Sequence, residues 1–122
     1  RTVRNDNSSR FGKWIEVVVN PATMSLGGAS VTDYLLEVTR VCSQGHGERN
    51  YHVFYQIMSA TAQSTFPMLK LTNAGDFAYL KRNAAGIQGR DDSNDFVQLR
   101  RALTAMKFTS EEEENIFRIA AG

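Results

Sequence analysis

The sequence predicts a mixed α/β unit in which two extended segments are followed by three or so helices. Three observations carry that reading. The segment KWIEVVV at 13–19 is rich in β-branched and aromatic residues and alternates Ile15, Val17 and Val19 onto one face. In the second half of the chain, Phe96, Leu99, Leu103 and Met106 recur at the spacing of one helical face. Thr109 with Glu112 has the form of a capping box ahead of a further apolar helical run. Two strands are marginal in water by themselves, so the rest of their sheet is expected from outside these residues.

Taken in order, residues 1–10 include Asn5, Asp6, Asn7, Ser8 and Ser9, whose side chains bond nearby backbone and favour a loop. The first strand follows over 13–19. Asn20-Pro21 ends it, because proline lacks an amide proton and restricts the residue before it. Gly27-Gly28 is expected to mark a bend, and a second strand is expected from about Ala29, with Val31, Tyr34, Leu35, Leu36, Val38 and Val41 filling it. After the loop CSQGHG, the segment ERNYHVFYQIM places Tyr51, Phe54, Tyr55 and Met58 on one helical face. The stretch from Gln63 to Gly75 has no clean period and contains Pro67, so it reads as a surface connection leading to a short helical turn at DFAYL. Asp92, with Asp95 in the following turn, is read as the cap of a helix of three to four turns. Glu111 to Glu114 lie where the dipole of the last helix favours negative charge, and Ile116, Phe117 and Ile119 are expected on its buried side.

The composition excludes several classes of protein. With 122 residues, 42% hydrophobic and 22% charged, the chain has the make-up and length of one globular unit. No run approaches the roughly 18 to 20 apolar residues that a bilayer span needs. Fourteen Lys and Arg against thirteen Asp and Glu leave a formal charge of +1, so no overall field draws the chain to nucleic acid or an anionic membrane. A single cysteine, Cys42, forms no internal disulfide, and His46 and His52 do not fit a metal site with it. A reducing intracellular compartment follows as an expectation. The opening at Arg1 and the close on NIFRIAAG, an apolar helical pattern still in progress, read as a piece of something larger.

The loop NDNSSRFGK is the most informative segment. It gathers two amides, two hydroxyls and a guanidinium immediately before a strand, groups that suit a phosphate and a magnesium ion. Composition and spacing alone do not separate this from a solvated polar turn. Asn7-Ser8-Ser9 also fits the N-glycosylation pattern, a reading disfavoured by the lone cysteine and the absence of an apolar leader.

In the order NDNSSRFGK, YLLEVTRV, GERNYHVFYQ, the chain resembles the myosin motor domain. DFAYL, GRDDSNDF and EEEENIFRIAAG extend that resemblance over essentially all of it. The resemblance implies part of the P-loop NTPase motor fold, incomplete by itself: a switch I loop at 1–13, transducer strands at 13–42 and a mainly helical portion at 48–122. It also implies an actin-based, ATP-driven motor whose cofactors are ATP and Mg2+. Carried over by residue, Asn5, Asn7, Ser8 and Ser9 would contact the nucleotide, and Ser9 would be the magnesium ligand. Ser8 would lie beside the γ-phosphate and attacking water. Arg10 would pair with a glutamate of switch II to close the pocket, a task for which its planar fork suits a carboxylate better than lysine does. Asp6 departs from the family, which commonly has a neutral or small residue there, and is expected to face solvent.

Glu37 and Arg40 resemble a charged pair that supports the switch from behind, although Val38-Thr39 departs from the usual Lys-Ser, and a structural ion pair explains the two equally well. His52, among aromatics, is read as a hydrogen-bonded core residue and given no catalytic role. The phosphate loop G-x-x-x-x-G-K-[ST] and switch II are not in these residues, so myosin ATPase activity is expected of the complete motor and not of this stretch alone. The implied partners are the actin filament and, through a neck outside this stretch, light chains or calmodulin, with no nucleic acid and no membrane; the implied location is cytoplasmic, on the cytoskeleton. A kinesin-type motor also has Asn and Ser-Ser-Arg in the equivalent loop, but Phe11-Gly12-Lys13 replaces its Ser-His. The other rival is a non-catalytic module that keeps a degenerate motor fold and tethers actin, which retention of both serines and the arginine disfavours.

Overall fold

The computed structural model describes residues 12–34, 37–81 and 89–122. Strands β1 (Gly12–Val19) and β2 (Leu26–Tyr34) pair antiparallel, with Trp14 opposite Thr32, Ile15 opposite Val31 and Val17 opposite Ala29. Asn20 closes the turn between them. Its Oδ1 accepts from the Ala22 amide at 2.9 Å, and its own amide donates to the Ser25 carbonyl at 2.9 Å. Gly12 permits a close approach, since a Cβ there would meet the Tyr34 ring at 2.9 Å.

The first strand lies where the alternation puts it, and the second does not. β2 starts at Leu26 and ends at Tyr34, Gly27-Gly28 lie within it, and the bend falls at 20–25 instead. Leu35 and Leu36 are outside the described residues. Val38 and Val41, expected in the strand, belong to a 3-10 turn, Val38–Val41. An apolar run does not fix its own period, and here the Glu37 and Arg40 side chains meet across one turn. Apart from the half-buried Gly12, every strand residue is exposed.

The helical part consists of α1 (His52–Ile57), α2 (Ala60–Thr65), α3 (Asp92–Ala105) and α4 (Ser110–Ala121). α1 is shorter than its apolar spacing predicts. Tyr51 stands at its N-cap, and Tyr55 and Ile57 are its buried residues, with Phe54 and Met58 half-buried. The largest departure is in the stretch from Gln63 to Gly75, read as a surface connection. α2, capped by the Ser59 hydroxyl, runs into it, and Phe66 within it is buried in the core, as is Ala62 just before it. Pro67 opens a short 3-10 turn, Pro67–Leu69, where its missing amide costs nothing. Another 3-10 turn, Ala74–Asp76, precedes hydrogen-bonded turns that bring in the buried Leu80.

Asp91, not Asp92, caps α3, its side chain accepting from the amides of Ser93 and Asn94. The box at α4 forms as the sequence predicts: Thr109 accepts from the Glu112 amide at 3.2 Å, and Glu112 accepts from the Thr109 amide at 2.8 Å. Phe117 faces the core, whereas Ile119 is 83% exposed, contrary to its expected place on the buried side.

The core lies among these helices. Phe66, Phe96 and Phe117 form a cluster with ring centroids 6.3, 5.2 and 5.3 Å apart, the first pair edge-to-face. Ile57, Ala62 and Leu103 complete it. Arg100 joins α3 to α4 at its margin, through Nε to Glu113 Oε1 at 2.6 Å and Nη2 to Glu113 Oε2 at 3.2 Å.

Candidate functional site

Of the residues expected to form a site, Asn5, Asn7, Ser8, Ser9 and Arg10 lie outside the described residues. Glu37 and Arg40 are described, and they sit at the centre of a buried polar network connecting the 3-10 turn Val38–Val41 to the approach to α1 and the start of α3.

The network begins with the 3-10 turn. Three residues per turn place the side chain of Arg40 over that of Glu37, and Arg40 Nε donates to Glu37 Oε2 at 2.6 Å. Arg40 is buried and uses its other nitrogens on the next segment: Nη2 donates to Glu48 Oε2 at 3.1 Å and Nη1 to the Arg49 carbonyl at 2.9 Å. Burial by itself would push the Arg40 guanidinium down from its ordinary pKa. The hydrogen bonds and charges of Glu37 and Glu48 overcome that and raise it. The cation is therefore permanent, and each nitrogen position is assigned to a separate acceptor.

Backbone groups are pinned around it. Gln44 Nε2 donates to the Arg40 carbonyl and, at 3.3 Å, to that of Val41. Asn50 Nδ2 bridges the carbonyls of Val41 at 3.0 Å and Tyr79 at 3.1 Å, while its Oδ1 accepts from the Tyr51 amide at 2.8 Å. The Tyr51 hydroxyl returns to the Glu37 carbonyl at 2.6 Å. These contacts leave the turn little freedom to move independently of the segment that enters α1.

Arg49 extends the network to α3. Its Nη2 donates to Asp92 Oδ2 at 2.7 Å, and its guanidinium carbon lies 3.6 Å from the centre of the Tyr55 ring. Nearby, Arg90 Nε lies 2.7 Å from Asp95 Oδ2. His52 is beside this group. Burial first, then the positive charges of Arg90 and Arg49, push its pKa down to about 4, so its imidazole is neutral at neutral pH. Its buried Nδ1 has no hydrogen-bond partner, which departs from the expectation of a hydrogen-bonded core histidine.

Sequence reasoning missed Glu48, Arg49, Asn50 and Asp92 as members of one network. A signal was present in part. Three polar residues stand together at 48–50 directly before an apolar helix, a pattern that by itself fits a solvated helix start equally well. Nothing local points Arg49 to Asp92, which is 43 positions away.

Among the described residues, no group of three or more His, Cys, Asp or Glu side chains is placed to hold a metal ion. No helix there is long and apolar enough to cross a membrane.

The comparisons with known proteins are uniform. A model of the myosin head (motor domain) family matches residues 1–122. Unconventional myosin-Va from Homo sapiens is 42% identical over 123 residues, covering 100% of this chain and 7% of that protein. Unconventional myosin-Ia from Bos taurus is 39% identical over 99% of this chain and 12% of its own length. Myosin-7 from Arabidopsis thaliana is 41% identical over 99% of this chain and 7% of its own length. The chain thus spans a small part of the curated relatives it matches.

Proposed function

The chain belongs to the myosin head (motor domain) family, and on that premise we propose that it is the part of an actin-based, ATP-driven motor that forms the switch I wall of a Mg-ATP site. The observation that carries this reading is that the family match runs from residue 1 to residue 122 and so includes NDNSSRFGK. In this reading the chain is part of a P-loop NTPase fold, and its strands belong to the transducer sheet.

The donor set fits the ligand. Ser9 offers a hydroxyl small enough for one vertex of an octahedral magnesium ion, and Asn5, Asn7 and Ser8 offer neutral dipoles to a polyanion. Bound magnesium would supply charge neutralisation at the β- and γ-phosphates. Ser8 orients the attacking water, and Arg10 closes the pocket on a switch II carboxylate. β1 starts at Gly12, directly after the loop, so ordering of the loop pulls on the hairpin. Glu37 and Arg40 are positioning residues: they tie the chain just past β2 to the approach to α1, so that the two move together. Actin is the partner of the complete motor, with light chains or calmodulin on its neck.

The test uses the complete motor. Arg10→Glu blocks steady-state hydrolysis and leaves nucleotide binding largely intact, and a glutamate-to-arginine exchange at the switch II partner restores part of the activity. Ser9→Ala shifts the magnesium titration of the ATPase to higher concentration. Unchanged turnover in the first variant, or an identical magnesium titration in the second, would remove the corresponding residue from its role.

A further inference from the structure

Beside α3 is a cavity of about 420 Å³, lined in part by Arg49, Tyr55, Asn73, Arg90, Asp92 and Ser93. Its most unusual feature is an ion pair made with one prong. Arg49 Nη2 donates to Asp92 Oδ2 at 2.7 Å, yet the buried Arg49 Nε and Nη1 have no hydrogen-bond partner, and Asp92 Oδ1 has none either. A guanidinium and a carboxylate are shaped for two parallel bonds, and buried donors left unpaired are a standing cost. Among the described residues Arg90 also approaches Asp92 Oδ1, but its Nε is 4.0 Å away, beyond hydrogen-bond reach.

The arginine is held to the segment that carries it. Its side chain is 1% exposed, it rests on the Tyr55 ring, and its carbonyl is held by Arg40. The second bond therefore requires Asp92, at the start of α3, and Arg49 to move relative to one another. The same carbonyl ties Arg49, through Arg40, to Glu37 just past β2.

We propose that the Arg49–Asp92 contact is a two-position latch, one-pronged here and two-pronged when the start of α3 moves in, and that nucleotide-linked movement at the end of β2 selects between the two. This rests on the motor reading above. Arg49 acts as a positioning residue, its fork reporting the state of the hairpin to a helix far along the chain. The cavity borders both partners of the contact.

The experiment is amide hydrogen exchange at Ser93 and Asn94 in the complete motor, with and without Mg-ATP, with nucleotide binding measured on the same samples. Mg-ATP is expected to change protection there by about tenfold in the parent. Arg49→Lys keeps the charge and removes the fork, and Asp92→Asn keeps Oδ1 and removes the carboxylate. Each abolishes the change while nucleotide still binds, whereas a merely structural role would alter protection equally in both conditions. Equal protection in the parent with nucleotide bound, or a change that survives in either folded variant, would overturn the latch. A parent that binds no Mg-ATP would overturn the motor reading, and the latch with it.

Discussion

The hairpin and the helical part of this chain are stabilised in opposite ways. In the hairpin, Trp14 is 62% and Val18 63% exposed, and what sets the geometry is the ladder of backbone hydrogen bonds and the Asn20 turn. Among the helices, Phe96 and Phe117 are fully buried, and side-chain packing sets the geometry. A ladder with bare apolar faces has a defined register but little free energy of its own. In the motor proposed above, such an element would twist against the body it is joined to. The buried arginines mark the border between the two, where Arg40 and Arg49 tie the chain beyond β2 to the body.

The largest expected effect lies on the packed side of that contrast. Phe117→Ala removes a ring that touches both Phe66 and Phe96, and the loss expected is about 3–5 kcal/mol, the usual cost of emptying an aromatic core site. Chemical denaturation of the complete head, followed by a probe in this region, measures it. A loss under about 1 kcal/mol, the range of surface substitutions, would mean that the aromatic cluster does not organise the helices.

The same contrast explains what was legible in the sequence. β1 was readable because β-branched alternation is local, and the α4 cap because a capping box spans a single turn. α2 was not, because ATAQST carries no apolar stripe. Only the tertiary contacts of Ala62 and Phe66 make it a core element. The end of β2 was misplaced because Val38 and Val41 suit a strand as well as a turn, and the deciding contacts of Arg40 reach Glu48 and Arg49 beyond the segment. Within the candidate site, the types and spacing of Glu37 and Arg40 were visible. Their position in a network running to Asp92 was not, since it depends on a pairing distant along the chain.

A substitution in the hairpin sharpens the comparison from the other side. Val18 faces solvent among the described residues, and a polar side chain on such a surface ordinarily costs under about 0.5 kcal/mol. If the transducer sheet of the proposed motor covers this face, Val18→Ser in the complete head removes buried apolar surface and costs about 1–3 kcal/mol. The same denaturation measurement reads the difference. A cost near zero would leave the hairpin bare in the assembled head and would count against its place inside a larger sheet.

The smallest effect compares the local devices that close each region. At α4, Thr109 and Glu112 exchange reciprocal bonds between side chain and backbone, whereas the hairpin turn relies on Asn20, whose Oδ1 serves the Ala22 amide at 2.9 Å and the Thr23 amide at 3.4 Å. Thr109→Ala leaves the Glu112 amide without its side-chain acceptor and is expected to cost about 1 kcal/mol. Thr109→Ser, which keeps the hydroxyl, recovers most of it. The loss should appear as faster hydrogen exchange confined to the first turn of α4, because the rest of that helix is held by Phe117 and by the Glu113 pair with Arg100. If exchange accelerated along the whole helix, the cap rather than the aromatic core would be what holds α4 in place, and the division between a ladder-built hairpin and a packing-built body would have to be redrawn.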